Sequence, residues 1–279
     1  MRSRAERSAS WRLEGAVRSD VGRVRAENQD AYGFFPDLGL FLVADGLGGH
    51  QAGRVASAMA VETVREAVAA TNDDDLTPVT DARGLVSLGA RRLVAALEEA
   101  NERVREAARD PARHGMGSTV AALLFDRCYG VVAVGHVGDT RVFRIRQGAI
   151  AQLTEDHTVV QQWVREGRIA PEEAVTSPHR HMITQAVGTQ EAVQPGLHLE
   201  RPEPGDVYLL TSDGVHDPVR PDEIGAVIDE AHGDLELACL RLIELANERG
   251  GRDNSTALLV RCRAADEPPA GTDDSTVTA

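Results

Sequence analysis

Four aspartates of this chain stand at the ends of apolar runs, where β-strands would hold their carboxylates rigidly. Asp45, Asp139 and Asp213 each follow such a run, and Asp253 precedes one. A strand fixes the position of its last side chain, and the glycine after Asp45 leaves room for a backbone carbonyl to approach an ion. A single Asp-Gly pair is more often only a turn. Four carboxylates can still share a metal site if their strands belong to one system of sheets, and this is the hypothesis that the pattern raises.

The composition of the chain excludes several kinds of function. All 30 residues counted as lysine or arginine are arginine, which rules out a Schiff-base lysine, a P-loop lysine and the strand lysine of kinases. The formal net charge of −14 repels nucleic-acid phosphates and anionic lipids, so we expect neither a nucleic-acid nor a membrane partner. Cys128, Cys239 and Cys262 are odd in number and widely spaced. We therefore expect no disulfide framework, no zinc site and a cytoplasmic location.

Hydrophobic periodicity predicts the elements that must position the aspartates. Apolar residues at helical spacing predict long helices over 51–70 and 85–108 and shorter ones over 221–229 and 235–249. Strands are predicted at 11–18, 31–35, 39–44, 118–125, 129–137, 141–146, 149–153, 194–199, 206–211 and 255–263. Because the strands come in neighbouring hairpins rather than alternating with helices, we predict an α+β fold. Its two packed antiparallel sheets would be flanked by pairs of α-helices.

The expected domain organisation follows from changes in polarity. We expect a disordered leader at 1–10, one domain at 11–263 and a disordered acidic tail at 264–279. Within the domain, 157–188 is polar, carries short helical pieces and is interrupted by a Ser-Pro-His sequence, which is typical of an inserted flap. No apolar run approaches ~18 residues and the N-terminus lacks an apolar signal-peptide core, so we expect no membrane span and no secretion signal.

Seven short motifs occur along the chain in a distinctive order. They are Arg25-x-x-Asn28-Gln29-Asp30, Asp45-Gly46-x-Gly48-Gly49-His50, Gly115-Met116-Gly117-Ser118-Thr119, Gly138-Asp139-Thr140-Arg141, Leu153-Thr154-x-Asp156-His157, Ser212-Asp213-Gly214 and Asp253-Asn254-Ser255-Thr256. Their order and spacing resemble the metal-dependent protein serine/threonine phosphatases of the PPM or type 2C family, in particular its bacterial members. The resemblance extends from about Glu14 to Arg263 and implies the α-β-β-α sandwich fold of that family.

The resemblance also implies a centre of two ions, Mn²⁺ or Mg²⁺, with a weaker third ion in bacterial members. Asp45 would bridge both ions, and the carbonyl of Gly46 would bind one of them. Asp213 and Asp253 would complete the shell of the other ion. Asp139 would help Asp213 to hold the third ion. Oxygen ligands without histidine or cysteine favour Mg²⁺ or Mn²⁺ over zinc.

Further residues would act around these ions. By the same resemblance, Asp30 and Gln29 would hold metal-bound waters, and Arg25 would bind the phosphate through its planar fork. Two divalent ions lower the pKa of a shared water to near neutrality. The resemblance thus implies hydrolysis of phosphoserine and phosphothreonine in proteins by a metal-activated water, without a covalent intermediate. The enzyme would oppose a serine/threonine kinase of bacterial type.

Several of these residues also have a structural interpretation. Asp139 can equally cap a hairpin or pair with Arg141, and Arg25 can form a surface ion pair. His136 lies in an apolar run and is expected to be a hydrogen-bonded histidine of the core. Leu47 stands where some family members carry a histidine, which is a candidate general acid for the leaving alcohol.

The departures from the family pattern leave two questions open. The proton donor is undecided between His50, His157 and a metal-bound water. Gln29 stands where an acidic residue is usual, so we expect the second ion to bind more loosely. The alternative function is a catalytically weak phosphatase fold that serves as a binding or regulatory module. The retained aspartates argue against it, because a cluster of carboxylates without ions is costly.

Overall fold

The computed structural model of the chain describes residues 11–49, 51–70 and 77–264. The expected leader at 1–10, His50 and residues 265–279 of the expected tail lie outside the described residues. Ala264, the first residue of that expected tail, ends the last strand of the fold.

Two five-stranded antiparallel sheets form the centre of the described part of the chain. The strands are β1 (Trp11–Asp20), β2 (Asp30–Phe35), β3 (Leu40–Leu47), β4 (Val79–Thr80), β5 (Val86–Ser87), β6 (Gly117–Asp126), β7 (Val131–Val137), β8 (Arg141–Arg146), β9 (Ala149–Gln152), β10 (Gly196–Glu200), β11 (Val207–Thr211) and β12 (Ser255–Ala264). Sheet A has the order β1-β12-β11-β8-β9, and sheet B has the order β10-β7-β6-β3-β2. Strands β4 and β5 pair only with each other.

The described α-helices are α1 (Gln51–Ala70), α2 (Leu88–Ala107), α3 (Val159–Arg165), α4 (Pro171–Thr176), α5 (Asp213–His216), α6 (Pro221–Glu230) and α7 (Leu235–Glu248). Two pairs of them cover the outer faces of the sheets. The pair α1 and α2 packs on sheet B, while α7 packs on sheet A beside α6. This confirms the predicted fold of two packed sheets flanked by helix pairs. None of the described helices is long and apolar enough to cross a membrane.

Apolar side chains fill three layers, one between the two sheets and one between each sheet and its helices. Strands β6 and β7 are buried along their whole length because sheet B is covered on both faces. The central layer carries edge-to-face aromatic contacts, with ring centroids 6.0 Å apart for Phe41 and Phe125 and 5.8 Å apart for Phe125 and Tyr208. Such contacts favour one relative position of the two sheets.

The start of α2 differs from the prediction. The periodic pattern places it at Leu85, but the helix begins at Leu88 because Ser87 is its N-cap. The Ser87 hydroxyl accepts a hydrogen bond from the backbone N–H of Ala90 at 2.9 Å and donates one to Asp126 at 2.7 Å. Residues before the cap form the short strand β5 instead. A cap that depends on a partner 39 residues away in sequence cannot be read from local periodicity.

The buried face of α1 also differs from the prediction. The apolar residues at helical spacing over 51–70, read from the sequence, include Ala58, but Ala58 is exposed and Ala52, Ala56 and Ala60 are buried instead. These small residues let the helix lie close to sheet B. Near its start, Gly53 lies directly against Gly46 of β3, so that a Cβ added at Gly46 would be 2.2 Å from the Gly53 carbonyl oxygen. This contact fixes the end of β3, where Asp45 stands.

The segment 157–188, which we expect to form a flap, contains α3 and α4 and is tied to the fold at both ends. Near its start, the N–H of His157 donates to the carbonyl of Gly138, directly after β7, at 2.9 Å, while Thr158 pairs with Ile183 within the segment. Near its end, Val187 pairs with Ser118 of β6 and is fully buried. The stretch between these two ends, which contains α3 and α4, is therefore the part whose sequence can change without disturbing the core.

The contact between Gly46 and Gly53 generates a stability prediction. Gly53→Ala should destabilise the protein by about 1–3 kcal/mol, because the new Cβ would lie 2.8 Å from the backbone oxygen of Gly46. Elsewhere in a helix the same change is stabilising. Urea unfolding measures the difference. The matched control is Gly49→Ala, where nothing lies within 4 Å of the added Cβ. Equal stability of the two variants would show that the close approach is not important.

Candidate metal centre

Residues from both sheets meet around one cavity of about 700 Å³. Its wall contains six of the eight site residues that the sequence predicts: Arg25, Gln29, Asp45, Gly46, Asp213 and Asp253. The other two lie beside it. Asp30 pairs with Asp45 across β2 and β3, and the charge of Asp139 raises the pKa values of Asp45 and Asp213. The aspartates that are far apart in sequence are therefore close in space.

The elements explain this convergence. Asp45 lies near the end of β3, next to Thr119 of β6. Asp213 is the first residue of α5, directly after β11, and Asp253 lies just before β12. Since β11 and β12 are antiparallel neighbours in sheet A, the last residue of β11 and the first residue of β12 lie side by side at the same end of the strands. That end of the strands faces the end of β3 in sheet B.

Asp30 links the two sheets at this position. Its Oδ2 accepts hydrogen bonds from the hydroxyls of Ser212 at 2.7 Å and Thr256 at 2.6 Å. These hydroxyl residues border β11 and begin β12, and the N–H of Thr256 also donates to the Ser212 hydroxyl at 2.9 Å. The sequence predicts only a water-holding role for Asp30. The structure adds direct hydrogen bonds between the sheet that carries Asp45 and the strand ends next to Asp213 and Asp253.

Asn254 holds the loop that carries Arg25. Its side-chain oxygen accepts a hydrogen bond from the backbone N–H of Gln29 at 2.8 Å. Its side-chain nitrogen donates to the carbonyl oxygens of Val21 and Glu27 at 2.9 and 3.0 Å. One buried side chain therefore satisfies three backbone groups of the loop between β1 and β2. The sequence contains Asn254 in a motif, but nothing in it indicates these partners.

The carboxylates raise one another's pKa values. Burial, followed by the charges of Asp30 and Asp213, raises the pKa of Asp45 well above its ordinary value. Burial and the charge of Asp139 do the same to the pKa of Asp213. The pKa of Asp30 rises to about 6 through burial, and that of Asp139 rises to about 7 through burial and the charge of Asp156. A cluster with these pKa values favours cations.

The donor set fits divalent cations that prefer oxygen. Oδ1 of Asp30 and Oδ1 of Asp213 are buried and have no hydrogen-bond partner among the described residues. A buried carboxylate oxygen without a partner is costly, so a cation or its water is the expected neighbour. The predicted ligands around the cavity supply only carboxylate and carbonyl oxygens, which suit Mn²⁺ and Mg²⁺.

Arg25 forms the ion pair that the sequence left as an alternative. Its Nη2 donates to Oδ2 of Asp253 at 2.6 Å, and its side chain is 54% exposed. Arginine has five N–H donors in a fixed fork, so one bond to Asp253 orients the group and leaves donors for an anion. The ion pair and a phosphate-binding role are thus compatible.

Asp139 does not form the ion pair that was considered for it. Arg141 instead pairs with Asp156, with Nη2 and Oδ2 2.6 Å apart. The nearby guanidinium is therefore committed to another carboxylate. Asp139 keeps a raised pKa, and this is the behaviour expected of a carboxylate beside a cation site.

Two histidines that the sequence singles out form a stacked pair away from the cavity. The rings of His136 and His157 are 4.6 Å apart, and Nε2 of His136 lies 2.7 Å from the carbonyl oxygen of Glu155. His136 is thus a hydrogen-bonded core residue, as expected. Nδ1 of His157 accepts a bond from the N–H of Gly138, and burial lowers the pKa of His157 to about 4. A neutral histidine with this geometry is a poor proton donor.

Sequence reasoning missed His181 and Asp217. Both line the cavity, and Nδ1 of His181 lies 3.1 Å from Oδ2 of Asp217. Asp217 stands four residues after Asp213, so the helical turn α5 brings both carboxylates to one side. One ligand atom from each of His181, Asp213 and Asp217 lies within 4.8 Å of the others. The only signal in the sequence is the four-residue spacing of the two aspartates.

A family model for protein phosphatase 2C matches residues 22–236. The chain belongs to the protein phosphatase 2C family. This confirms the family that the ordered motifs predict.

Relatives and solved structures agree with this assignment. The serine/threonine protein phosphatase PstP of Mycobacterium tuberculosis is 39% identical over 258 residues, which cover 88% of this phosphatase and 44% of PstP. The protein phosphatase PhpP of Streptococcus pneumoniae is 32% identical over 259 residues, which cover 91% of this phosphatase and 99% of PhpP. A crystal structure of the PstP catalytic domain with two manganese ions has a TM-score of 0.74 and 35% identity, with 91% of this chain and 100% of that chain covered.

The predicted activity and cofactors are thereby confirmed. The phosphatase is a serine/threonine protein phosphatase, a hydrolase of phosphoric monoesters, and it depends on manganese or magnesium ions.

Metal binding should release protons near neutral pH. Because the pKa of Asp30 is about 6 and that of Asp139 about 7, the cluster is partly protonated at pH 6 and must lose these protons when cations bind. The apparent affinity for Mn²⁺ should therefore weaken as the pH falls from 8 to 6. Calorimetric titration in buffers of different ionisation enthalpy measures both effects. An affinity that is constant over this range, without proton release, would contradict the raised pKa values.

Asp213→Asn should stabilise the metal-free protein while it removes activity. The change deletes one like charge from the cluster, and we expect the midpoint of thermal unfolding to rise by about 2–4 °C, equivalent to about 1 kcal/mol. Calorimetry of chelator-treated protein measures the midpoint. The control is Asp37→Asn in an exposed turn, which should change neither property. A lower midpoint for Asp213→Asn would show that mutual repulsion is not the dominant effect.

Proposed function

We propose that Asp45, Gly46, Asp213 and Asp253 hold the two ions of this phosphatase. The observation that carries the proposal is the convergence of these residues on one cavity from two sheets. When bound there, two divalent ions would lower the pKa of a shared water for attack on phosphorus and offset the charge of the phosphate. The supporting physical argument is the raised pKa of the carboxylates, which makes cations the natural partners of the site.

The surrounding residues position what enters the cavity. We assign Oδ1 of Asp30, which has no partner among the described residues, and the side chain of Gln29 to ordered waters around the ions. Arg25 binds the phosphate oxygens while its bond to Asp253 restricts the orientation of the guanidinium. Asp139 contributes to a third, weaker ion beside Asp213. Its proximity to Asp213 and its pKa of about 7 support this role.

The physiological setting is also a proposal. We infer that the substrates are phosphorylated proteins, in agreement with the names of its bacterial relatives. We further infer that the phosphatase opposes a serine/threonine kinase. We also infer a cytoplasmic location. Cys128, Cys239 and Cys262 are all free thiols in the structure, as a reducing compartment allows.

Hydrolysis assays with the full chain test the proposed function. In the presence of Mn²⁺ the wild type should hydrolyse p-nitrophenyl phosphate and phosphothreonine peptides, and a chelator should abolish both activities. Absence of turnover with every substrate at saturating Mn²⁺ would favour the alternative of a binding or regulatory module.

Asp139→Ala tests the third-ion role separately. The variant should lose roughly 10-fold or more in turnover at low Mn²⁺ while the two tight ions still bind, because a supporting carboxylate changes metal affinity by about 10- to 100-fold. Turnover as a function of Mn²⁺ concentration, combined with calorimetric counting of bound ions, separates the two effects. Rates equal to those of the wild type at all Mn²⁺ concentrations would remove Asp139 from the site.

A further inference from the structure

The described wall of the cavity carries arginines beyond the one assigned to the phosphate. Besides Arg25, the wall contains Arg180 from the segment 157–188 and Arg249 and Arg252 from the end of α7 and the following loop. In a chain with a formal net charge of −14, four arginines around one cavity are a local concentration of positive charge. The four arginines gathered beside the four aspartates of this wall therefore indicate a ligand with negative charge.

The carboxylates of the wall do not account for these arginines. The four aspartates that line the cavity, Asp45, Asp213, Asp217 and Asp253, carry together the charge that two divalent ions offset. With the ions bound, the four arginines remain in excess. Because Glu223 pairs with Arg249, three arginine charges remain against the two charges of one phosphate dianion. A substrate with one phosphoryl group leaves part of this positive charge without a partner.

Two of the arginines are committed and two are not. Arg25 pairs with Asp253, and Arg249 pairs with Glu223 through two bonds of 2.6 and 2.8 Å. Among the described residues, neither Arg180 nor Arg252 has a carboxylate within ion-pair distance. Both side chains are exposed, and the guanidinium of Arg180 reaches only the carbonyl of Ser177, at 3.5 Å. These two are the groups available to a second anion.

The positions of Arg180 and Arg252 suit an extended substrate. Arg252 directly precedes Asp253, and Arg180 directly precedes His181, which contacts Asp217 of the same wall. A cavity of about 700 Å³ has the size of pockets that enclose ligands much larger than phosphate. A phosphorylated side chain fills only part of it, so neighbouring groups of the same peptide reach the two guanidinium forks.

We propose that Arg180 and Arg252 form a second anion subsite, which selects phosphoprotein segments with another acidic group near the scissile phosphoserine or phosphothreonine. The inference rests on the proposed function of the cavity. Guanidinium groups bind phosphate and carboxylate in the same planar, bidentate geometry, so the second group is either a phosphorylated or a carboxylate side chain.

Three phosphothreonine peptides that differ at one neighbouring position test the subsite with the full chain and Mn²⁺. The position holds alanine, glutamate or phosphoserine. The wild type should show the highest kcat/KM for one or both anionic peptides, mainly through a lower KM. In Arg180→Gln and Arg252→Gln together, this preference should fall by about 3- to 10-fold, as expected for partly exposed charge pairs. The alanine peptide and p-nitrophenyl phosphate should be hydrolysed at unchanged rates.

The outcomes separate the subsite from the proposed function. A preference for phosphoserine over glutamate would assign the subsite to a second phosphate, and equal preference would assign it to any acidic group. Equal kcat/KM for the three peptides in the wild type, or an equal loss for all substrates in the double variant, would overturn the subsite. Failure of the wild type to hydrolyse any substrate would instead overturn the proposed function. Arg105→Gln, an exposed arginine of α2, is the control and should leave the preference unchanged.

Discussion

Concentrated negative charge at one edge of the sandwich is the constraint on which the rest of this structure depends. Burial raises the pKa of Asp45, and the charges of Asp30, Asp213, Asp139 and Asp253 raise it further. Without cations such an arrangement opposes folding, because like charges repel strongly where water is excluded. With divalent cations the same arrangement becomes favourable. The remainder of the fold must therefore hold the carboxylates together against their own repulsion.

The fold holds the carboxylates together because the site lies where strands of both sheets end. Asp30 and Asp45 lie in neighbouring strands of sheet B, Asp213 and Asp253 lie next to strand ends of sheet A, and the close contact of Gly46 with Gly53 fixes the end of β3. The two carboxylate oxygens of Asp30 differ in their contacts at the place where the sheets meet. Its Oδ2 accepts hydrogen bonds from Ser212 and Thr256 at the ends of the strands of sheet A, while its Oδ1 has no partner among the described residues. One carboxylate thus joins the two sheets at the place where the predicted site residues converge.

Charge is arranged in two zones around the cavity. Four aspartates of the wall form one zone, and arginines from the loop before β2, the segment 157–188 and the residues before β12 form the other. The ion pair of Arg25 with Asp253 joins the two zones. This distribution gives a strongly acidic protein a local field that attracts phosphate, and it explains how an anionic surface and an anionic substrate are compatible.

The sequence alone determined the elements and the chemical type of the site. The helix at 51–70, the order of the strands and the aspartates at the ends of apolar runs all follow from periodicity and from motifs, because burial repeats at the period of each element. Only the tertiary structure decided which groups touch. Packing brings together the residues of five features that the sequence did not reveal. They are the N-cap at Ser87, the buried alanine face of α1, the hydrogen bonds of Asp30 to sheet A, the ion pair of Arg25 with Asp253 and the contact of His181 with Asp217. Local patterns report how each segment is buried, whereas the choice of partner depends on the relative positions of whole sheets and helices. Those positions are set by the summed packing of the core rather than by any one stretch of the chain.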